Sequence, residues 1–136
     1  MRRGDFMDWS VIMNTLNVLN ESQLWSIIIA CIMMLADIVA GFTAATILHN
    51  IQSAKMREGI GHKVLMLILI AVSYTLTIGF THIANVSFTV PSVEVVCVYI
   101  IVMEMASILE NVTKAYPEFA NTSLFKYLNT AQKGVE

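Results

Sequence analysis

Residues 24–48 read LWSIIIACIMMLADIVAGFTAATIL, a run of 25 residues broken by one charge, Asp37. At about 1.5 Å per helical residue it exceeds a hydrocarbon core of about 30 Å, so it is read as a membrane-spanning helix. Two further runs follow, VLMLILIAVSYTLTIGFTHI over 64–83 and a third from Pro91 to Val112. Composition agrees with this reading: 57% of the 136 residues are hydrophobic and 13% are charged, against about 25% charged in soluble domains. Such a chain has too little polar surface to cover itself in water. The expectation is an all-α integral membrane protein with three transmembrane helices at about 24–48, 64–83 and 91–112. Ala84 to Val90 is expected to be a short turn, with Pro91 in the first turn of the third helix.

Before the first span, Trp9, Ile12, Leu16 and Leu19 recur at helical spacing opposite Asn14, Asn17 and Glu21. Residues 1–23 are therefore expected to form an N-terminal amphipathic helix at the interface. Asp5 and Asp8 interrupt what would have to be the apolar region of a secretory signal, so no cleavage is expected. Residues 113–136 read as a short cytoplasmic C-terminal tail resting partly on headgroups, with 24–112 as the transmembrane domain between the two flanking segments.

Lys55, Arg57 and Lys63 lie between the first two spans against Glu58 alone, whereas the second connection carries no Lys or Arg. The positive-inside rule then places the first loop and the C-terminus in the cytoplasm and the N-terminus outside. Arg2 and Arg3 oppose that orientation. Initiation at Met7 would remove both, although the simpler reading makes Met7 an internal methionine.

A carboxylate near the bilayer centre costs about 2.5–3.5 kcal/mol, and each Ile, Leu, Val or Phe returns about 0.3–0.6 kcal/mol. The first helix should insert with little margin and gain by turning Asp37 toward protein. Asp37, Gly41, Ala44, Ala45 and Leu48 share a face, and Ala36 with Ala40 adds a second pair of small residues alongside. Small residues let helix backbones approach closely, within one chain or between copies. In the third helix Glu94, Cys97, Ile101, Glu104, Ile108 and Asn111 make one stripe, with Ser107 and Glu110 on its flank. Glu94 is expected to reach the interface. Asp37 and Glu104 are read as uncharged in dispersed chains and ionised beside a wet lumen. Lys63 is a partner for Asp37 or for Glu110, and the sequence leaves that choice open.

Ser73, Thr77 and Thr81 repeat along the second helix, where hydroxyls either bond back to their own helix or wet a lumen. Gly59 and Gly61 are read as permitting a sharp start to that helix, and Lys55 with Arg57 as touching anionic headgroups. Cys31 and Cys97 read as small buried hydrophobes rather than a disulfide. His49, His62 and His82 lack metal-ligand spacing, and no phosphate loop, nucleophile elbow or nucleic-acid patch occurs. No enzyme activity, cofactor or metal is expected.

Taken in order, Asp37 with Gly41, then Ser53-Ala-Lys-Met-Arg57-Glu-Gly59-Ile60 leading to Lys63, then Glu104-Met-Ala-Ser107-Ile-Leu-Glu110-Asn111, form a three-part signature. It resembles the toxin-secretion and phage-lysis holin family, whose pattern runs D-x-x-x-G, then S-x-x-x-R-x-G-[IL]-x-x-K, then E-x-x-S-I-L-E-N. The resemblance covers about Ile32 to Asn111. It implies a homo-oligomer in the cytoplasmic membrane of a bacterial host, opening lesions at a set time and coupled to an endolysin. Export of a large toxin, or inhibition as an antiholin, are variants of the same resemblance. A selective ion channel or small transporter is a separate alternative. The resemblance and the polar faces make Asp37, Gly41, Ala45, Glu104, Ser107, Glu110 and Asn111 candidates for oligomerisation or pore formation. Ser53, Lys55, Arg57, Gly59 and Lys63 are the candidates for loop and headgroup contacts. The partners expected are the lipid bilayer and further copies of the chain, without nucleic acid.

Overall fold

A computed structural model describes residues 20–82, 91–123, 125–127 and 130. Every regular element among them is helical: α1 Glu21–Ile47, α2 Ser53–His82, α3 Val93–Ala115, and a 3-10 turn, Pro117–Asn121. Of the expected N-terminal amphipathic helix over 1–23, residues 20–23 belong to the start of α1; the rest of it, Met7 and the turn at 84–90 lie outside the described residues.

Local chemistry sets the helix ends. Asn20 caps α1: its Oδ1 accepts from the N–H groups of Ser22 at 2.7 Å and Gln23 at 3.4 Å, while Gln23 Oε1 accepts from the Asn20 N–H at 3.3 Å. This reciprocal box satisfies donors that a helix start leaves free. At the other end His49 takes φ 49°; its N–H bonds to Thr46 O at 3.1 Å, and Asn50 N–H to Ala45 O at 2.9 Å. That pair of bonds is a Schellman ending, built on a histidine where glycine is usual. Ser92 caps α3 by accepting from Val95 N–H at 3.4 Å. Pro91 therefore stands just before the cap, outside the helix rather than in its first turn.

The segment read as a loop from Ser53 to Lys63 belongs to α2. Its Lys, Met, Arg and Glu residues are good helix formers, so polar residues continue the helix where its apolar part ends. Gly59 and Gly61 consequently sit inside a helix, with open space around them, rather than at its start. The link between α1 and α2 shrinks to residues 48–52.

α1 and α3 form the tightest pair, and α2 lies more loosely against both. Buried positions follow steps of three and four on each helix. They are Ala30, Met34 and, ten residues further on, Ala44 on α1, Lys63, Met66, Ile70 and Ser73 on α2, and Val93, Cys97, Ile100 and Glu104 on α3. The α3 stripe thus runs through Val93 and Ile100 rather than Glu94 and Ile101. Both cysteines are free, with Cys97 fully buried and Cys31 packed at the core's edge. Ser73 does not bond back to its own helix; its Oγ donates to Pro91 O at 3.0 Å, joining α2 to the start of α3. Thr77 does bond back, to Ser73 O at 2.8 Å.

The outward faces are apolar as well. Ile32, Leu35 and Val39 on α1, Leu65 and Ile68 on α2, and Val95, Val98 and Tyr99 on α3 are all exposed. Helices apolar on every side belong in a large core or in lipid, and this small bundle has no large core. Helix α1 and residues 53–80 of α2 are long and apolar enough to cross a membrane.

Candidate functional site

The charges within the bundle meet at one point. Asp37 lies ten residues before the end of α1, Lys63 ten residues after the start of α2, and Glu104 eleven residues before the end of α3. Because α2 runs opposite to its neighbours, the three reach a common level, about 15 Å along the axis from the α1–α2 link. Lys63 Nζ is 2.8 Å from Asp37 Oδ2 and 2.6 Å from Glu104 Oε2. Asn111 Nδ2 donates to Asp37 Oδ1 at 3.1 Å. The Lys63, Asp37 and Glu104 side chains are 10%, 12% and 2% exposed.

Packing makes this arrangement possible. A Cβ on Gly41 would lie 3.4 Å from Asn111 Nδ2, so the glycine gives Asn111 room to reach Asp37 one turn away. The cluster is nearly, not fully, satisfied: Glu104 Oε1 is buried with no hydrogen-bond partner. Two carboxylates share one ammonium, and burial of such groups is tolerated only when they are paired.

Of the residues singled out from the sequence, the structure brings together Asp37, Gly41, Lys63, Glu104 and Asn111. Lys63 joins Asp37, not Glu110, and takes Glu104 as its second partner. Glu110 is exposed and pairs with Lys114 at 2.7 Å, one turn along α3. Ala45 lines a cleft of about 450 Å³ between α1 and α2. Ser107 lines another, of about 610 Å³, between α2 and α3. Lys55 and Gly59 line both clefts. Ser53 and Arg57 are exposed and line neither. Lys114 lines both as well, although by sequence it falls in the segment read as the C-terminal tail. The signal for the Lys63 bridge was its depth, visible once α2 is started at Ser53 instead of Val64.

An apolar helical bundle with its span-depth charges turned inward defines a small membrane protein rather than a water-soluble domain. A model of the bacteriophage holin family matches residues 15–122, and the chain belongs to that family. This makes it a holin-type membrane protein, of a membrane-permeabilising and non-enzymatic class. No curated protein and no solved structure matches the chain.

Proposed function

We propose that the protein is a phage holin that oligomerises in the bacterial cytoplasmic membrane and opens timed, non-selective lesions through which an endolysin reaches the cell wall. One observation carries the reading beyond family membership: Asp37, Lys63 and Glu104 are paired with one another inside the bundle, in a protomer whose outer faces are apolar. In that state the protomer presents almost no charge to lipid and accumulates without harm. Once α2 moves, the same charges are bare, and each costs about 2.5–3.5 kcal/mol if left facing lipid. Neighbouring copies avoid that cost by turning their charged faces toward a shared aqueous lumen. Pairing with Lys63 takes over the role that the sequence reading gave to uncharged carboxylates.

In this proposal α3 is the third span. Its 23 residues reach about 35 Å, and Val95, Val98, Tyr99 and Met103 present apolar surface outward. The transmembrane domain is 24–112, and the end bearing Lys55, Arg57 and Lys114 faces the cytoplasm, with the N-terminus outside. Gly41 and Ala45 supply close helix contact, and Glu104, Ser107 and Asn111 become lumen-facing.

The test is inducible expression in bacteria, alone and with a cytoplasmic endolysin lacking its own export signal, following culture density and membrane potential. Abrupt lysis at a reproducible time, dependent on the endolysin, is the expected result. Collapse of potential without endolysin escape would replace the proposal with a small channel. Membrane accumulation without either effect would replace it with an antiholin.

A further inference from the structure

The two clefts beside α2 differ in charge. The one between α2 and α3 sets Lys55, Lys63 and Lys114 against Asp37, Glu58 and Glu104. The one between α1 and α2 has the same three lysines and a single carboxylate, Asp37. Asp37 and Lys63 hold each other, so this second cleft keeps Lys55 and Lys114 in excess. Lys114 is shared with Glu110, but both side chains are more than half exposed and such pairs are weak. The first turn of α2, which holds no acidic residue, starts beside the cleft and adds free N–H groups and the positive end of its dipole. Asn50, Gln52 and Asn111 also line it, and the larger part of the remaining wall is apolar, with Ile38, Phe42, Met56 and Ile60.

Positive charge at the rim of an apolar slot between two membrane helices is complementary to an anionic amphiphile. We propose that this cleft binds one anionic glycerophospholipid, with its phosphate between Lys55 and Lys114 and an acyl chain along Ile38, Phe42 and Ile60. The inference rests on reading α1 and α2 as membrane spans. Basic pockets between spans on the cytoplasmic side recognise anionic headgroups, and a soluble anion would leave the apolar wall uncovered. Arg57 lines neither cleft, and so separates a lipid seated in the slot from general attraction of the surface to an anionic leaflet.

The full chain is reconstituted into vesicles of phosphatidylcholine alone or mixed with phosphatidylglycerol. Resistance to carbonate extraction establishes insertion, and native mass spectrometry counts the lipids that stay bound after mild detergent extraction. One phosphatidylglycerol per protomer is expected, at roughly thirty-fold preference if each lysine acts at the usual near-surface strength. Joint Lys55→Gln and Lys114→Gln substitution should abolish the preference, and Arg57→Gln should keep it. Ile60→Asn, which changes no charge, should lower retention of either lipid. Equal retention of both lipids, loss with Arg57→Gln as large as with the double variant, or displacement by inorganic phosphate overturns the proposal. Failure to resist carbonate overturns the spanning reading itself, and the lipid site with it.

Discussion

Replacing Lys63 with Met removes the one ammonium that, among the described residues, pairs with the buried Glu104 and the half-buried Asp37. Asp37 keeps its bond from Asn111, at 3.1 Å. Glu104 keeps nothing: Oε1 already lacks a partner, and Oε2 is held by Lys63 alone among the described contacts. Breaking a buried pair from one side costs about 3–5 kcal/mol. That is on the order of 100- to 4,000-fold in the equilibrium between packed and released α2. Cys97 is a suitable reporter, because it is fully buried and shares the core with Met66 and Ile70 of α2. In a Cys31→Ala background in detergent, maleimide labelling of Cys97 should accelerate by the same factor as the open population. The control is the Asp37→Asn, Lys63→Met, Glu104→Gln triple variant, since replacing every member of a buried ionic cluster is often neutral or stabilising. It should label close to the parent rate, and Lys63→Met with Glu104→Gln should recover more than Lys63→Met with Asp37→Asn. Unchanged labelling in Lys63→Met would show that the cluster does not hold α2 in place, and a triple variant as open as Lys63→Met would show that the opening does not come from the bared carboxylates.

Smaller effects follow from the surrounding residues. Asn111→Ala removes a hydrogen bond to a charged oxygen and should destabilise the bundle by about 1.5–3 kcal/mol, read as an earlier midpoint in SDS unfolding; a shift as large as that of Lys63→Met would contradict the ranking. At Gly41 a Leu must displace Asn111 and should lower the same midpoint. At Gly59 and Gly61, where a Cβ meets nothing, Ala should stabilise the helix by about 1 kcal/mol each, read as higher helix content by circular dichroism; a loss would restore the reading of a sharp turn there. Glu110→Gln removes only an exposed pair, and should shift stability by less than about 0.5 kcal/mol, whereas Glu104→Gln should shift it well beyond that.

The helices themselves were legible because apolar runs longer than a bilayer core have few other uses. Their starts were not. Hydropathy ends where Lys55, Arg57 and Glu58 begin, but helix propensity does not, and α2 continues through them. The α3 stripe was displaced for a similar reason. From Cys97 and Glu104 the period of 3.6 permits steps of three or four, so Val93 with Ile100 and Glu94 with Ile101 fit the pattern equally well. Tertiary contacts decide, among them the bond from Ser73 to Pro91 at the head of α3. The partner of Lys63 was half legible. Glu110 lies six residues beyond Glu104, about 9 Å further along the axis, and Lys114 on its own helix satisfies it instead. That Lys63 takes two carboxylates, one from each neighbouring helix, required the three depths to be compared, and depth depends on where each helix begins.

The placement of that shared ammonium bears on how a membrane helix can be held firmly and still let go. α1 and α3 grip each other through small and apolar side chains, which lipid does not weaken. α2 has fewer such contacts, and moving it also separates Lys63 from its two carboxylates. An ion pair's attraction falls in inverse proportion to the local dielectric, so the tie is strong while the cluster is dry and weak once water reaches it. Both clefts flanking α2 end at the cluster, each lined by Asp37 and Lys63. Water entering either one loosens the pair, a loosened pair lets α2 shift, and the shift admits more water. In the proposed holin assembly, a neighbour that opens its own cluster onto a common lumen brings that water. Release in one copy then favours release in the next, and a population of latent protomers converts abruptly rather than one by one.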